Sequence, residues 1–327
     1  MKVFVTGATG FVGSHLVRAL TARGDQVVCL TRSRAKLERL FAEAPPPFVE
    51  GTLDDADALA SGSRDADVVF HVAGLTAARS RGEFLAVNAN ATRSLLKIVA
   101  RAAPNLQRFV YVSSLAAAGP GPRGRPRTEN DRAQPVSSYG WSKLAGEESV
   151  RQSGMPWTIV RPPTVYGPGD TEVLKVFKLA KWGVVPLFGD GRQENNFVYG
   201  PDLADALIAA AQATLPGNTY FAAHPEIATQ RDLANVIYRA VRNRPNEPTI
   251  LPIPGLLARG ALWVTGTTAW LARRATILTP DRGNDFLAES WACSPEALTR
   301  DAGWRAQTDL QTGIASTAEW YRRAGWL

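Results

Sequence analysis

Over its first 170 residues the chain alternates short apolar runs with longer stretches of helical periodicity. Residues 3–5, 26–30, 68–71, 109–113 and 158–161 are the strand candidates, each apolar at nearly every position. Strict alternation would mark a strand with one wet face, whereas continuous apolarity marks a strand covered on both, as in a parallel sheet. The intervening segments 14–23 and 90–103 carry apolar residues at helical spacing and supply the covering helices. The pattern predicts an α/β fold with a doubly wound parallel sheet of the Rossmann kind over residues 1–170.

Beyond Gly169 the regularity weakens and prolines punctuate shorter elements, so residues 171–327 are expected to form mainly a smaller substrate-binding lobe. One stretch, 197–211, reads as a short strand and then a helix starting near Asp202, and residues 197–215 are expected to return to the first unit. Residues 44–48, with three consecutive prolines, and 119–135, rich in Gly, Pro and Arg, read as surface loops. The second borders the candidate site described below and is either a lid or an ordinary mobile loop.

Within residues 253–278, Leu256, Trp263, Thr267, Trp270 and Leu271 share one face at helical spacing. Thirteen uncharged residues separate Arg259 from Arg273. A bilayer span needs about 20. The helix is therefore expected to line a lipid-sized pocket, to rest on a membrane surface beside Arg259, Arg273 and Arg274, or to sit in the core.

Composition changes this picture little. A hydrophobic content of 45% in 327 residues is enough for a sizeable core. The formal charge of +7 comes from 37 Lys and Arg against 30 Asp and Glu, spread along the chain without runs, which argues against a nucleic-acid partner. It suits an anionic cofactor or an anionic membrane surface equally well. Cys29 and Cys293 give neither a disulfide framework nor metal-ligand spacing, so no metal is expected. The chain opens on an apolar run leading straight into glycines, unlike a signal peptide, and the expected location is cytoplasmic. Peripheral contact with the inner face of a membrane through residues 255–278, and assembly as a homodimer, are both compatible with this reading.

Candidate chemistry begins with Gly7, Gly10 and Gly13, which follow the first strand and open the first helix. Gly7 permits the tight turn, Gly10 lets backbone approach a pyrophosphate, and Gly13 allows close packing of helix on strand. The helix N-terminus attracts the phosphate charge. At the end of the second strand, where a carboxylate would bind the ribose of NAD, the sequence reads Leu30-Thr-Arg-Ser-Arg-Ala-Lys36. Arg32, with Arg34 or Lys36, could instead neutralise a 2′-phosphate, so NADP is favoured and NAD remains the alternative.

The reacting group is a second constellation. Tyr139 and Lys143 are four residues apart and would share a helix face, where an ammonium near the phenol favours the phenolate. Ser114 ends the fourth long strand and is placed to hydrogen-bond a substrate oxygen where charge develops, with Ser113 as the fallback.

With these motifs the chain resembles the extended short-chain dehydrogenase/reductase superfamily, which includes NAD-dependent epimerases and dehydratases, 3β-hydroxysteroid dehydrogenases and dihydroflavonol reductases. The likeness runs through Thr6-Gly-Ala-Thr-Gly-Phe-Val-Gly13, His71-Val-Ala-Gly74, Asn88, Tyr111-Val-Ser-Ser114, Tyr139-Gly-Trp-Ser-Lys143, Arg161-Pro-Pro-Thr-Val-Tyr-Gly-Pro168 and Phe197-Val-Tyr-Gly-Pro-Asp202. It implies that Tyr139 is the general acid or base, that Lys143 lowers its pKa and holds the nicotinamide ribose, and that Ser114 orients the carbonyl. It also implies cofactor contacts along Gly7, Thr9, Gly10, Phe11, Val12 and Gly13, and at Leu53, Ala73, Pro162 and Thr164. His71 is given no chemical role, and Asn88 is read either as a support of the site or as a helix cap.

The chain departs from the nucleotide-sugar members at Thr164, where they usually carry asparagine, and at Asn195, where an arginine usually grips the substrate diphosphate. Losing that charge-assisted contact removes roughly 1.5–3 kcal/mol. The resemblance is closest to the steroid-dehydrogenase and flavonol-reductase arm. An NADP-dependent enzyme interconverting a ketone and a secondary alcohol on a hydrophobic, lipid-like substrate is expected, running toward reduction. A sugar-nucleotide epimerase or dehydratase with tightly held NAD is the enzymatic alternative, and a non-catalytic cofactor-binding subunit the other.

Overall fold

The computed structural model describes residues 1–213, 215–243 and 247–327. Its strands are β1 (Lys2–Thr6), β2 (Gln26–Thr31), β3 (Phe48–Glu50), β4 (Val68–His71), β5 (Arg108–Val112), β6 (Trp157–Arg161), β7 (Thr164–Tyr166), β8 (Val184–Phe188), β9 (Glu194–Tyr199), β10 (Asn218–Phe221), β11 (Ile227–Thr229), β12 (Thr249–Ile253) and β13 (Ser290–Trp291). The main sheet runs β10, β6, β5, β4, β1, β2, β3, and every neighbouring pair is parallel. The strand order reverses at β1, which opens a crevice beyond the ends of β1 and β4.

Alternate side chains of this sheet enter two different cores, which explains the continuous apolar runs. Val3, Val5, Cys29, Phe70 and Val110 meet helices Phe11–Ala22 and Gly200–Gln212 on one face. Phe4, Val69, Phe109, Tyr111 and Ile159 meet helices Ala56–Ser63, Thr92–Ala102 and Ser138–Arg151 on the other. The sheet is doubly wound, as the pattern predicts.

Two of its strands are not foreseen by that pattern. β3 follows the three prolines directly and is too short to show periodicity; β10 is an edge strand that begins on Asn-Thr. In the 197–215 stretch, β9 joins a second sheet with β7, β11 and β13, while helix Gly200–Gln212 covers the main sheet. Thr214 of that stretch lies outside the described residues. A separate apolar core collects Tyr166, Phe177, Ile237, Ile314 and Tyr321, and β8 pairs with β12 beside it.

The 119–135 segment is tied down along its length. Gly121 N donates to Ser290 O (2.9 Å), Arg127 N to Ala292 O (2.9 Å) and Ser294 N to Arg127 O (2.8 Å). The buried Arg127 guanidinium donates to the carbonyls of Pro120 and Arg132, and the Glu129 carboxylate accepts from Phe221 N. Helix Gly255–Leu271 also differs from two of its expected settings, because its bulky apolar face points outward: Trp263 is 62% and Trp270 68% exposed.

Candidate active site

At the crevice, Gly7 has φ +76°, and a Cβ there would stand 2.6 Å from Ala73 N. A Cβ on Gly13 would collide with the Gly7 carbonyl, so only glycine lets the helix start against the loop. Gly10 is exposed at the N-cap, followed by half-buried Phe11 and Val12, and the first helical turn carries no acid. This cradle fits a dinucleotide phosphate. Ala73 N is held to Thr6 Oγ1 (3.3 Å), and Leu53 packs half-buried past β3. Thr9 is half-buried in the loop, Pro162 is buried beyond β6, and Thr164 is exposed at the start of β7. Arg32 stands exposed one residue past β2; Lys36 is exposed, and Arg34 pairs with Glu38 at 2.7 Å.

Helix Ser138–Arg151 brings the reacting side chains to the same crevice. Ser137 caps it by accepting from Gly140 N, and a Cβ on Gly140 would collide with Ala116 O, so this helix presses against the turn that Ser114 begins. Tyr139 is 8% exposed. Burial raises its pKa, while a hydrogen bond with Ser114 and the Arg282 guanidinium oppose that rise. The Ser113 hydroxyl is occupied elsewhere, donating to Glu147 Oε1 at 2.6 Å, which leaves Ser114 as the serine beside the phenol.

Lys143 departs from expectation. Its ammonium donates to Val112 O (2.7 Å) and lies 4.8 Å from the Tyr111 ring centre, and burial lowers its pKa to about 8. The cation facing the phenol is Arg282, 4.8 Å from the Tyr139 ring centre. The carbonyl of Val112, at the end of buried β5, needs a donor, and Lys143 supplies it. Its amine faces Gly74, where a Cβ would lie 3.3 Å from Nζ, so it borders the loop running past Gly7.

Asn88 is no cap. It lies inside a π-helical turn, Ala86–Ala91, and is buried; Oδ1 accepts from Leu75 N (2.8 Å), and Nδ2 donates to Leu75 O (3.0 Å) and Ser142 Oγ (2.9 Å). It thereby ties the loop after Gly74 to the Tyr139 helix. His71 is fully enclosed between Thr6 and Thr92 hydroxyls, and burial pushes its pKa down to about 3, so it stays neutral and structural. Asn195 is buried and donates to Gln193 O, while Arg192 is exposed near Asp190.

Several contributors escape a reading of the sequence. Glu147, on the same helix as Lys143, binds Arg161 through both oxygens (2.8 and 2.6 Å) and Arg151 at 2.7 Å. Its spacing from Lys143 was a usable signal. Asp281 accepts from Ser138 N (2.9 Å) and Ser138 Oγ (3.1 Å), Asn284 donates to Val136 O, and Arg282 pairs with the nearly buried Asp285 at 2.8 Å. No local pattern announces that clamp.

The family model of the NAD dependent epimerase/dehydratase family matches residues 3–223. Ceramide reductase of Caulobacter vibrioides is 33% identical over 333 residues, covering 99% of this chain and 96% of that protein. The uncharacterized UDP-glucose epimerase YtcB of Bacillus subtilis is 33% identical over 232 residues, 64% of this chain and 72% of that one. Among solved structures, the dTDP-glucose 4,6-dehydratase DesIV of Streptomyces venezuelae, with NAD bound, superposes with a TM-score of 0.79 at 25% identity, covering 100% of this chain and 98% of that one. The family match over residues 3–223 and the full-length likeness make this chain a member of the NAD-dependent epimerase/dehydratase family of extended short-chain dehydrogenases/reductases, an NAD(P)-dependent enzyme acting on CH–OH groups.

Proposed function

We propose that the protein is an NADP-dependent reductase that converts a ketone to a secondary alcohol on a hydrophobic, lipid-like substrate, of the sterol or sphingolipid type. One observation carries the reading: the Tyr139 phenol is walled by Ala78 and Phe84, whose ring centre lies 5.8 Å away, with Leu75 and Ala116 packed alongside. An apolar wall favours an apolar substrate. The full-length likeness to a ceramide reductase supports the same class, and Asn195, bonded to a backbone carbonyl, offers a diphosphate no cation.

A nicotinamide dinucleotide held along Gly7, Gly10 and Gly13 would supply the hydride. A carbonyl oxygen placed between Ser114 and Tyr139 accepts a hydrogen bond from each hydroxyl. As negative charge grows on that oxygen, Tyr139 transfers its proton. Burial keeps the phenol protonated at neutral pH, which suits reduction. Arg32 and Lys36, both exposed just past β2, would meet a ribose 2′-phosphate, for which a guanidinium fork is well shaped.

Purified protein should oxidise NADPH with a long-chain or cyclic ketone, with kcat/KM at least about tenfold above that with NADH, the difference of one charge-assisted hydrogen bond. Conversion of UDP-glucose with NAD, and none of the ketones, would overturn this reading.

A further inference from the structure

We propose that the outer face of helix Gly255–Leu271 docks on the surface of an anionic phospholipid membrane. The helix packs with its small side inward. Ala258 and Leu262 are buried, and a Cβ at Gly266 would stand 2.8 Å from Pro280 Cδ. Its large residues point out: Leu256 is 83%, Leu257 64%, Trp263 62%, Val264 54%, Trp270 68% and Leu271 68% exposed. At 100° per residue these six fall within one side of the helix. Scattered exposed apolar residues are ordinary, but a contiguous face of two tryptophans and three leucines marks a surface that something covers.

Chemistry selects the occupant. The Thr267 and Thr268 hydroxyls donate to the carbonyls of Trp263 (2.7 Å) and Val264 (3.0 Å), so these side chains turn their hydroxyls back onto the helix. Residues 255–280 contain Arg259, Arg273 and Arg274, all exposed, and no Asp or Glu. Tryptophan and arginine rimming an apolar face match the headgroup layer, where the rings sit at the interface and the guanidinium groups meet phosphates. A second copy on this face would bring a like set of arginines to the same rim. With 17 residues the helix lies along a membrane; among the described residues no helix is long and apolar enough to cross one. Downstream, Thr276 pairs with Ala78 of the cluster at Tyr139, and Asp281 and Arg282 follow, so the face and the site share one continuous segment.

The inference stands apart from the choice of substrate, because vesicle binding needs no turnover. The full chain should sediment with phosphatidylglycerol-rich vesicles at least about tenfold more tightly than with phosphatidylcholine vesicles. Trp263→Glu combined with Trp270→Glu should weaken that binding by about tenfold or more and leave the melting temperature unchanged, since both side chains are exposed. Equal binding by parent and variant would overturn the proposal. So would a parent that ignores both vesicles, including one whose dimeric mass in solution falls to a monomer in the variant, which would assign the face to a second copy.

Discussion

At the scale of single residues, the phenol of Tyr139 is balanced between one cation and one anion that arrive from a distant part of the chain. Arg282 lowers its pKa against the larger effect of burial, and Asp285 raises it in the same direction as burial. Removing the cation destabilises the phenolate, and removing the anion stabilises it. In the oxidative direction, where phenolate is the base, Arg282→Leu should shift the alkaline rise in rate to higher pH, and Asp285→Asn should shift it lower. A loss of rate in both variants with no movement of either profile would reduce the pair to a structural role. The pair was invisible in the sequence, since the clamp and the tyrosine helix lie 143 residues apart. Tyr139 and Lys143 were legible because helical spacing relates them, but which carbonyl would claim the Lys143 ammonium was not.

At the scale of elements, the Tyr139 helix is fastened to the sheet by Glu147. Burial alone would raise the pKa of this carboxyl, yet Arg161, Arg151 and Ser113 hold it below the usual range. A depressed carboxylate contributes stability that is present above the unfolded glutamate pKa and is lost as pH falls through the folded value. Glu147→Ala would leave Arg161, itself 4% exposed, without its partner. The expected loss is about 3–5 kcal/mol in urea unfolding at neutral pH, as for a broken buried pair. A loss below about 1 kcal/mol would show that water or a neighbour replaces the carboxylate. The strands legible in the sequence are those whose two faces both enter cores, because burial leaves an apolar run; β3 and β10 are short or polar at the start and leave none.

At the scale of the molecule, the cofactor crevice follows from sheet topology and the glycine cradle, both of which local sequence carries. The remaining lobe was less legible. Periodicity revealed the apolar face of helix Gly255–Leu271 but not its direction, which depends on the small residues that fill the opposite side. Likewise the composition of the 119–135 segment suggested a lid or a mobile loop, whereas the Arg127 backbone bonds to Ala292 and Ser294 just past β13 and the Glu129 carboxylate accepts from Phe221 N at the end of β10. These long-range contacts bring a clamp, an exposed apolar helix and the candidate active site into one segment of surface. The proton transfer at the centre of that site is the step most open to test. With NADPH and the best ketone found, Tyr139→Phe should lower kcat by about 10²- to 10⁴-fold while the melting temperature holds, the range expected for removing a general acid. Turnover at the parent rate would contradict the assignment of Tyr139 as the proton donor.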